Sequence, residues 1–178
     1  GLGETHSSHL KRINKSTKRP FYRHDHRLFN AADYGVPQCR ERVVIVLFRD
    51  GSGENFTFPH PTHSKDALIW DQWVSHEYWD RHGLPRPSPE KSPPRAKVLL
   101  KRSEKPCEKP WVTVRGALTG LPDPRNAEAA AAFANHDYRP GARSYAGHTG
   151  SVLDWPAKTL KAGVHGVPGG ENMMVDDN

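Results

Sequence analysis

Three polar side chains, Gln38, Arg40 and Arg42, alternate along the chain just before an apolar run. Residues two apart in an extended backbone point to the same face, so this spacing predicts one row of an amide and two guanidinium groups. Each guanidinium offers a planar fork of donors that matches a phosphate or a base edge. The row therefore needs such an external partner, or an acidic cluster within the protein. The alternative is that the arginines are surface cations beside an ordinary strand.

The element that must position this row is the apolar run at residues 43–48, which is rich in Val and Ile. A continuous apolar run predicts a strand that is buried on both faces of a helix-covered sheet. Turn-forming residues at 33–37 precede it, and residues 27–31 read as a short strand. Together these segments predict a strand–loop–strand unit.

In order and type, residues 30–48 resemble a signature block of the DNA cytosine-5 methyltransferases, with its Gln-x-Arg-x-Arg element. The resemblance implies that Arg42 contacts the carbonyl oxygen of an extruded cytosine. It also implies that Arg40 supports the nucleophile loop or a phosphate, and that Gln38 holds the local backbone. A fixed cation beside a ring that develops charge is electrostatic preorganisation.

A second stretch, residues 141–170, interleaves glycines with Thr, His, Arg and Ser. Glycine lets a backbone approach a ligand closely, and the polar side chains suit base edges. The family's target-recognition domain carries a Thr-Leu pair followed by glycines, which Thr159, Leu160, Gly163 and Gly166 match. The residues expected to contact DNA here are Arg143, Thr159, Leu160, Gly163, His165 and Gly166. The alternative is a glycine-rich surface loop without a ligand.

A basic, proline-rich tract at residues 91–109 holds seven cations against two acids. It could be a mobile loop that tracks phosphates, or a solvated insertion without a role. The cation surplus favours phosphate contact by Lys97 and Lys101. Residues 1–27 are similarly basic, and a phosphate-binding loop and a solvated connector explain them equally well.

Several local signals predict secondary structure. Ser64 or Asp66 caps a helix over residues 67–82 that Gly83 ends, with Trp73 and Trp79 in the core rather than stacked on bases. Short helices begin near Thr113 and after Asn126, and residues 55–58 alternate like a brief strand.

Composition excludes several classes of protein. The chain has 178 residues, a net charge of +6 and 35% hydrophobic residues, with 16 Pro and 15 Gly. The charge favours a polyanionic partner. Two cysteines cannot form a disulfide framework, and no signal peptide or transmembrane run is evident, so we expect a cytoplasmic protein without a membrane partner. His24 and His26 lack metal-ligand spacing and are expected at the surface.

The expected fold is α+β: residues 1–50 form edge strands of a methyltransferase-type α/β sheet, and residues 51–178 a loop-rich target-recognition domain. This corresponds to the C-terminal part of a bacterial enzyme. The family's Phe-x-Gly-x-Gly turn, Glu-Asn-Val element, arginine-rich helix and closing Asn-x-Val-Pro segment are missing. Cys39 and Cys107 lack the setting of a nucleophile.

We therefore expect a fragment that binds double-stranded DNA but neither binds S-adenosylmethionine nor transfers methyl groups alone. The full enzyme would use S-adenosylmethionine, and the fragment's other partner would be the remainder of the methyltransferase chain or a complementary subunit. The alternatives are a stand-alone DNA-binding subunit of a split or non-catalytic enzyme, and a basic structural module unrelated to DNA.

Overall fold

A computed structural model describes most of the chain. The described residues are 22–49, 55–102, 104–136, 138 and 150–159, together with 8, 11, 12, 15 and the backbone of 174–175. They form a mixed α/β structure with small two-stranded sheets and short helices. No helix among them is long and apolar enough to cross a membrane.

The chain divides into two compact units. One comprises Gly1–Phe29 with Glu41–His60, and the other comprises Asn30–Arg40 with Pro61–Asn178. The expected domain boundary at residue 50 stays a prediction.

The first unit contains the predicted pair of strands. Strand β1 spans Tyr22–Asn30 and pairs with β2, which spans Glu41–Arg49. The strand expected at residues 43–48 is confirmed. The earlier strand begins at Tyr22 and is longer than the segment predicted at residues 27–31.

A row of phenylalanine rings covers one face of this sheet. Phe58 lies edge-on to Phe29 with centroids 5.2 Å apart, and Phe56 lies 4.9 Å from Phe58 and 5.0 Å from Phe48. The strand predicted at residues 55–58 is wrong, because this segment is irregular. Its alternating phenylalanines pack on the sheet face instead of following a strand pairing.

The opposite face of the sheet is exposed. Val43 and Leu47 of β2 are 58% and 50% exposed, and Leu28 of β1 is 61% exposed. The prediction that β2 is buried on both faces is therefore wrong for the described part of the chain. The physical reason is that the phenylalanine row lies against only one face, and on that face Val44 is still 40% exposed.

The second unit holds the helices. They are α1 (Lys65–Trp73), α2 (Glu77–His82), α3 (Pro94–Arg102), α4 (Val114–Leu118) and α5 (Ala127–Ala130). Single-turn 3₁₀ helices occupy Ala31–Tyr34 and Pro89–Lys91. Two short parallel pairs complete it: β3 (His63–Ser64) with β4 (Lys109–Pro110), and β5 (Ser151–Val152) with β6 (Met174–Val175).

The predicted helix caps are confirmed. The side-chain oxygens of Ser64, Thr113 and Asn126 accept backbone N–H groups at 3.1, 3.0 and 3.2 Å respectively. Each cap satisfies one of the donors that the first turn of a helix leaves free. Gly83 ends α2 in a left-handed conformation with φ of 64°.

The single helix expected over residues 67–82 is interrupted, because His76 adopts φ of 63°. The carbonyl of Gln72 lies at this break. It accepts the indole N–H of Trp79 at 2.6 Å and lies 3.1 Å from Nδ1 of His76. The interruption therefore turns Trp79 into the core, where it is 8% exposed, which confirms its predicted core position.

Part of the basic tract is helical, which corrects its interpretation as a loop. Helix α3 places Ala96 and Leu99, both 3% exposed, against Ile69 of α1, and Trp73 packs beside them. Two apolar residues three positions apart share a helix face. Burial of this narrow apolar stripe outweighs the polar composition of the segment.

The principal core cluster holds Leu68 among Ala32, Tyr78, Trp79 and Trp111. We predict that Leu68→Ala, at a fully buried position, lowers the free energy of unfolding by about 2–5 kcal/mol through lost burial and a residual cavity. Urea denaturation would measure the loss.

The matched control is Leu100→Ala, because Leu100 is 63% exposed. This variant should lie within about 0.5 kcal/mol of the parent chain. Equal losses for the two variants would contradict the assignment of this core.

Candidate functional site

The loop Asn30–Arg40 is closed by the side chain of Asn30. Its Oδ1 accepts the backbone N–H of Ala32 at 3.3 Å and that of Arg40 at 3.1 Å, and the Ala31 N–H donates to the Arg40 carbonyl at 3.0 Å. One amide oxygen thus ties both ends of the loop. Sequence reasoning missed this role, although an Asn directly before turn residues is a recognised signal for it.

Gly35 shapes the middle of the loop. It has φ of 84°, and a β-carbon there would lie 2.8 Å from Cε1 of His63. A left-handed conformation and a close neighbour both favour glycine at this position. Because of this close approach, the loop packs directly onto β3.

Asp33 anchors the loop to the core of the second unit. Its Oδ1 accepts the indole N–H of Trp111 at 2.9 Å, and its backbone carbonyl accepts the Thr62 N–H at 2.9 Å. Trp111 is 9% exposed, so the anchor belongs to the buried cluster. The loop is therefore held from inside.

The segment 155–159 lies alongside residues 37–39 as a parallel bridge. The Cys39 N–H donates to the Ala157 carbonyl at 2.8 Å, and the Ala157 N–H donates to the Pro37 carbonyl at 2.9 Å. The Thr159 hydroxyl donates to the Cys39 carbonyl at 2.6 Å across 120 positions of sequence. The structure thus brings together two segments that were predicted separately to contact DNA.

Asp154 fixes this segment to the helices. Its carboxylate accepts hydrogen bonds from the Tyr78 hydroxyl at 2.7 Å and from Nε of Arg115 at 2.6 Å. Its backbone carbonyl accepts a hydrogen bond from Nε2 of Gln72 at 2.7 Å. The Thr113 hydroxyl lies 3.0 Å from that of Tyr78. Helices α1, α2 and α4 therefore converge on one residue.

The electrostatics of this cluster favour a charged Asp154. Burial is the largest single effect and raises the pKa of the carboxyl group, but hydrogen bonds from Arg115 and Tyr78 with the Arg115 charge outweigh it, so the pKa is lowered. The pKa of Tyr78 is raised, mainly by burial. The phenol therefore stays protonated and donates to the carboxylate.

Trp155 is held on both its backbone and its ring. Its carbonyl accepts the Val114 N–H at 3.0 Å, and its ring lies edge-on to Trp111 with centroids 5.6 Å apart. The Lys65 ammonium lies 5.5 Å from the centroid of the Trp155 ring. These contacts set the direction in which the chain leaves Asp154 toward Thr159.

The predicted site residues have different surroundings. Gln38 is half-buried in the bridge, whereas Arg40 is exposed and its guanidinium has no hydrogen bond or ion pair among the described residues. Arg42 lies in the first unit, is exposed, and donates to the Glu41 carbonyl at 2.6 Å.

The remaining predicted DNA contacts fall into two groups. Lys97 and Lys101 are exposed and lie one turn apart on α3. The others lie outside the described residues: Arg143, Leu160, Gly163, His165 and Gly166.

Both cysteines are free. Cys39 is half-buried and packs against the core cluster, whereas Cys107 is exposed. Their exclusion as nucleophiles stays a prediction.

Comparison with known proteins identifies the family. A family model described as C-5 cytosine-specific DNA methylase matches residues 2–90, which is half of the chain. The chain belongs to this family. The match to the C-5 cytosine-specific DNA methylases includes the whole of Asn30–Arg40 and ends before Thr159.

Individual relatives are type II methyltransferases. The chain is 44% identical over 63 residues to M.HhaI of Haemophilus parahaemolyticus, an alignment covering 33% of this chain and 19% of the relative. It is 39% identical over 67 residues to M.MthTI of Methanothermobacter thermautotrophicus, covering 38% and 20%. It is 51% identical over 45 residues to M.BspRI of Lysinibacillus sphaericus, covering 25% and 11%.

The chain therefore spans a fifth or less of the length of these curated relatives. No solved structure matches the chain.

We predict that Gly35→Ala destabilises the chain more than Gly83→Ala does. Both glycines have positive φ, but a β-carbon at Gly83 would meet nothing within 4 Å. Gly83→Ala should cost about 1–2 kcal/mol from conformation alone. Gly35→Ala should cost about 1 kcal/mol more, because the His63 ring must move from its hydrogen bond with Thr62.

Urea denaturation would measure both losses, and the His63 ring resonances in an NMR spectrum would report its movement. If the two variants lose equal stability and the His63 signals stay in place, the described packing of the loop on β3 is wrong.

We predict that Asp154→Asn lowers the free energy of unfolding at pH 7 by about 1–3 kcal/mol, because the ion pair between Asp154 and Arg115 is lost. A lowered folded-state pKa contributes stability that is present above the unfolded value, about 3.9, and is lost as pH falls through the folded value. The difference in the free energy of unfolding between the parent chain and the variant should therefore become smaller at acidic pH.

Denaturation series at pH 7 and below pH 4 would test this. Asp66 and Asp123 also have lowered pKa values. The pH dependence of the stability of the parent chain alone therefore does not isolate the contribution of Asp154. A difference that is constant with pH would contradict the role assigned to the Asp154 charge.

Proposed function

We propose that this chain is the part of a DNA (cytosine-5)-methyltransferase that binds duplex DNA, reads the target sequence and holds an extruded cytosine for S-adenosylmethionine-dependent methylation. The supporting observation is the bridge between residues 37–39 and 155–159. It joins the family's Gln-x-Arg-x-Arg block to the glycine-rich segment, so both can face one ligand.

The exposed arginines suit the two contacts that base extrusion requires. An enzyme that modifies a duplex base must take it out of the stack, and the flipped nucleotide then needs binding partners for its phosphate and its base edge. Arg40, whose backbone is fixed by Asn30, is the proposed phosphate contact. Arg42 is the proposed contact to the cytosine carbonyl oxygen, and Gln38 supports the loop backbone.

Helix α3 supplies a second group of proposed phosphate contacts. Residues four apart project from the same helix face, so Lys97 and Lys101 form one cationic edge. The buried side of the helix is fixed by Ala96 and Leu99. A rigid support for flexible lysines suits sequence-independent contact with a phosphate backbone.

A cavity in the second unit does not suit the sulfonium group of S-adenosylmethionine. It is lined by Arg81 and Lys109 and by no carboxylate among the described residues. A cationic lining disfavours a cationic ligand. We propose that the cofactor site and the nucleophile are supplied by another part of the enzyme, and the cationic lining of this cavity agrees with that for the cofactor.

The exposed face of the β1–β2 sheet supports this division. It presents Leu28, Val43, Ile45 and Leu47, all more than a third exposed. Apolar surface left in water costs roughly 25 cal/mol per Å², and contiguous exposed patches mark interaction sites. The proposed partner is the remainder of the methyltransferase chain.

The second candidate is a stand-alone subunit of a split or non-catalytic methyltransferase. The same exposed sheet favours it, since a complementary subunit would cover the face equally well. A reading frame encoding the cofactor and nucleophile elements upstream in the same chain favours the first candidate, and a separate frame favours the second.

For duplex binding we predict a log–log salt slope of about −0.9 per phosphate contacted. Lys97→Ala and Lys101→Ala should weaken binding to all duplexes alike and reduce the slope by about one each. Thr159→Val should instead change sequence preference, because loss of the hydrogen bond to the Cys39 carbonyl loosens the proposed base-reading segment from the loop beside it. Fluorescence anisotropy with competing duplexes measures both effects.

Lys105→Ala is the matched control, because Lys105 is exposed and its ammonium lies 3.8 Å from Glu77. This variant tests whether the removal of one positive charge at any exposed position is enough to weaken duplex binding. Identical behaviour of the lysine and threonine variants in the competition assay would contradict the division between positioning and reading residues.

A further inference from the structure

The cavity in the second unit has the size of a small-molecule site. Its volume is about 450 Å³, and its walls include Leu68, Tyr78 and Trp111. Ligand sites typically enclose about 300–1,000 Å³ with mainly apolar walls and a few polar groups. The exposed residues Gly116 and Thr119 lie at its edge.

The ionisable side chains of this cavity, apart from the phenol of Tyr78, are basic. His63, Arg81, His82 and Lys109 all line it. His63 and Lys109 are cross-strand partners in the β3–β4 pair, which places them side by side. Arg81 is ion-paired with Asp71 at 2.6 Å, whereas the Lys109 ammonium has no ion-pair partner among the described residues. Lys109 is therefore available to an external anion.

The two histidines of the cavity are partly buried and lie near cations. Burial and then the charge of Lys109 lower the pKa of His63. Burial, followed by the charges of Arg81 and Arg115, lowers the pKa of His82, although Asp154 and Asp71 oppose this. Both imidazoles therefore favour the neutral form more than usual, mainly because they are partly buried, and the neighbouring cations add to this effect.

We propose that this cavity binds one nucleotide unit, with its phosphate beside Lys109 and His63 and its base against the apolar wall of Trp111 and Val112. The phosphate neutralises the uncompensated ammonium, and the base fills the apolar part of the volume. An apolar wall has no means to distinguish base edges, so the site accepts different bases with similar affinity.

The nucleotide comes from one of two sources: a free mononucleotide, or a nucleotide within a DNA strand. The site itself does not depend on the proposed duplex binding. Only the second source, a nucleotide within a DNA strand, rests on the proposed function.

Isothermal titration of the purified 178-residue chain tests the site, with dCMP, dGMP, deoxycytidine and inorganic phosphate as separate probes at low salt. Both nucleotides should bind with similar affinity. Deoxycytidine and phosphate should each bind about tenfold or more weakly, since each lacks one half of the ligand.

Two variants should reduce dCMP affinity about tenfold or more: Lys109→Ala, which removes the phosphate partner, and Thr119→Trp, which obstructs the edge of the cavity. Lys91→Ala is the matched control and should bind as the parent does, because Lys91 is exposed and does not line the cavity. Circular dichroism confirms folding of each variant. Absence of dCMP binding to the parent, unchanged binding by folded Lys109→Ala, or equal affinity for phosphate and dCMP would overturn the proposal.

Competition distinguishes the sources. Displacement of dCMP by a short single-stranded oligonucleotide supports a strand as source, and failure of displacement supports a free nucleotide. If duplex binding fails while dCMP binds, only the proposed function is contradicted. If dCMP fails while duplex binding through Lys97 and Lys101 persists, only the cavity proposal is contradicted.

Discussion

The carboxylate of Asp154 is the contact on which the geometry of the second unit depends. It accepts hydrogen bonds from Tyr78 and Arg115, and the carbonyl of the same residue accepts one from Gln72. The side chain of Asp154 is 21% exposed, so its charge is only partly solvated, and removing its partners would be costly. The contact therefore holds helices from three parts of the sequence to one short segment.

This anchor determines what lies beside the family's signature loop. From Trp155 the chain runs along residues 37–39, where the Thr159 hydroxyl reaches the Cys39 carbonyl. Asn30 and Asp33 secure the other side of the loop. The backbone that carries Arg40 is thus fixed from two directions while its guanidinium remains exposed. A prepositioned cation on a rigid backbone suits recognition of a phosphate.

Features governed by local chemistry were predictable from the sequence. The caps at Ser64, Thr113 and Asn126 and the end of α2 at Gly83 need only neighbouring residues. Features governed by distant contacts were not predictable. The break at His76 depends on Trp79 reaching the Gln72 carbonyl, and helix α3 depends on burial against Ile69. The signature block indicated the family but gave no sign that Thr159 would lie beside it.

Amide hydrogen exchange at Cys39 and Ala157 tests most directly whether Asp154 holds the bridge together. The Cys39 N–H donates to the Ala157 carbonyl, and the Ala157 N–H donates to the Pro37 carbonyl. Both amides should be protected in the parent chain, and in Asp154→Asn both should lose protection by the same factor while the Ala130 amide of α5 keeps its own. Exchange of the Cys39 amide at the unfolded rate in the parent, or unchanged protection of both amides in Asp154→Asn, would contradict the account.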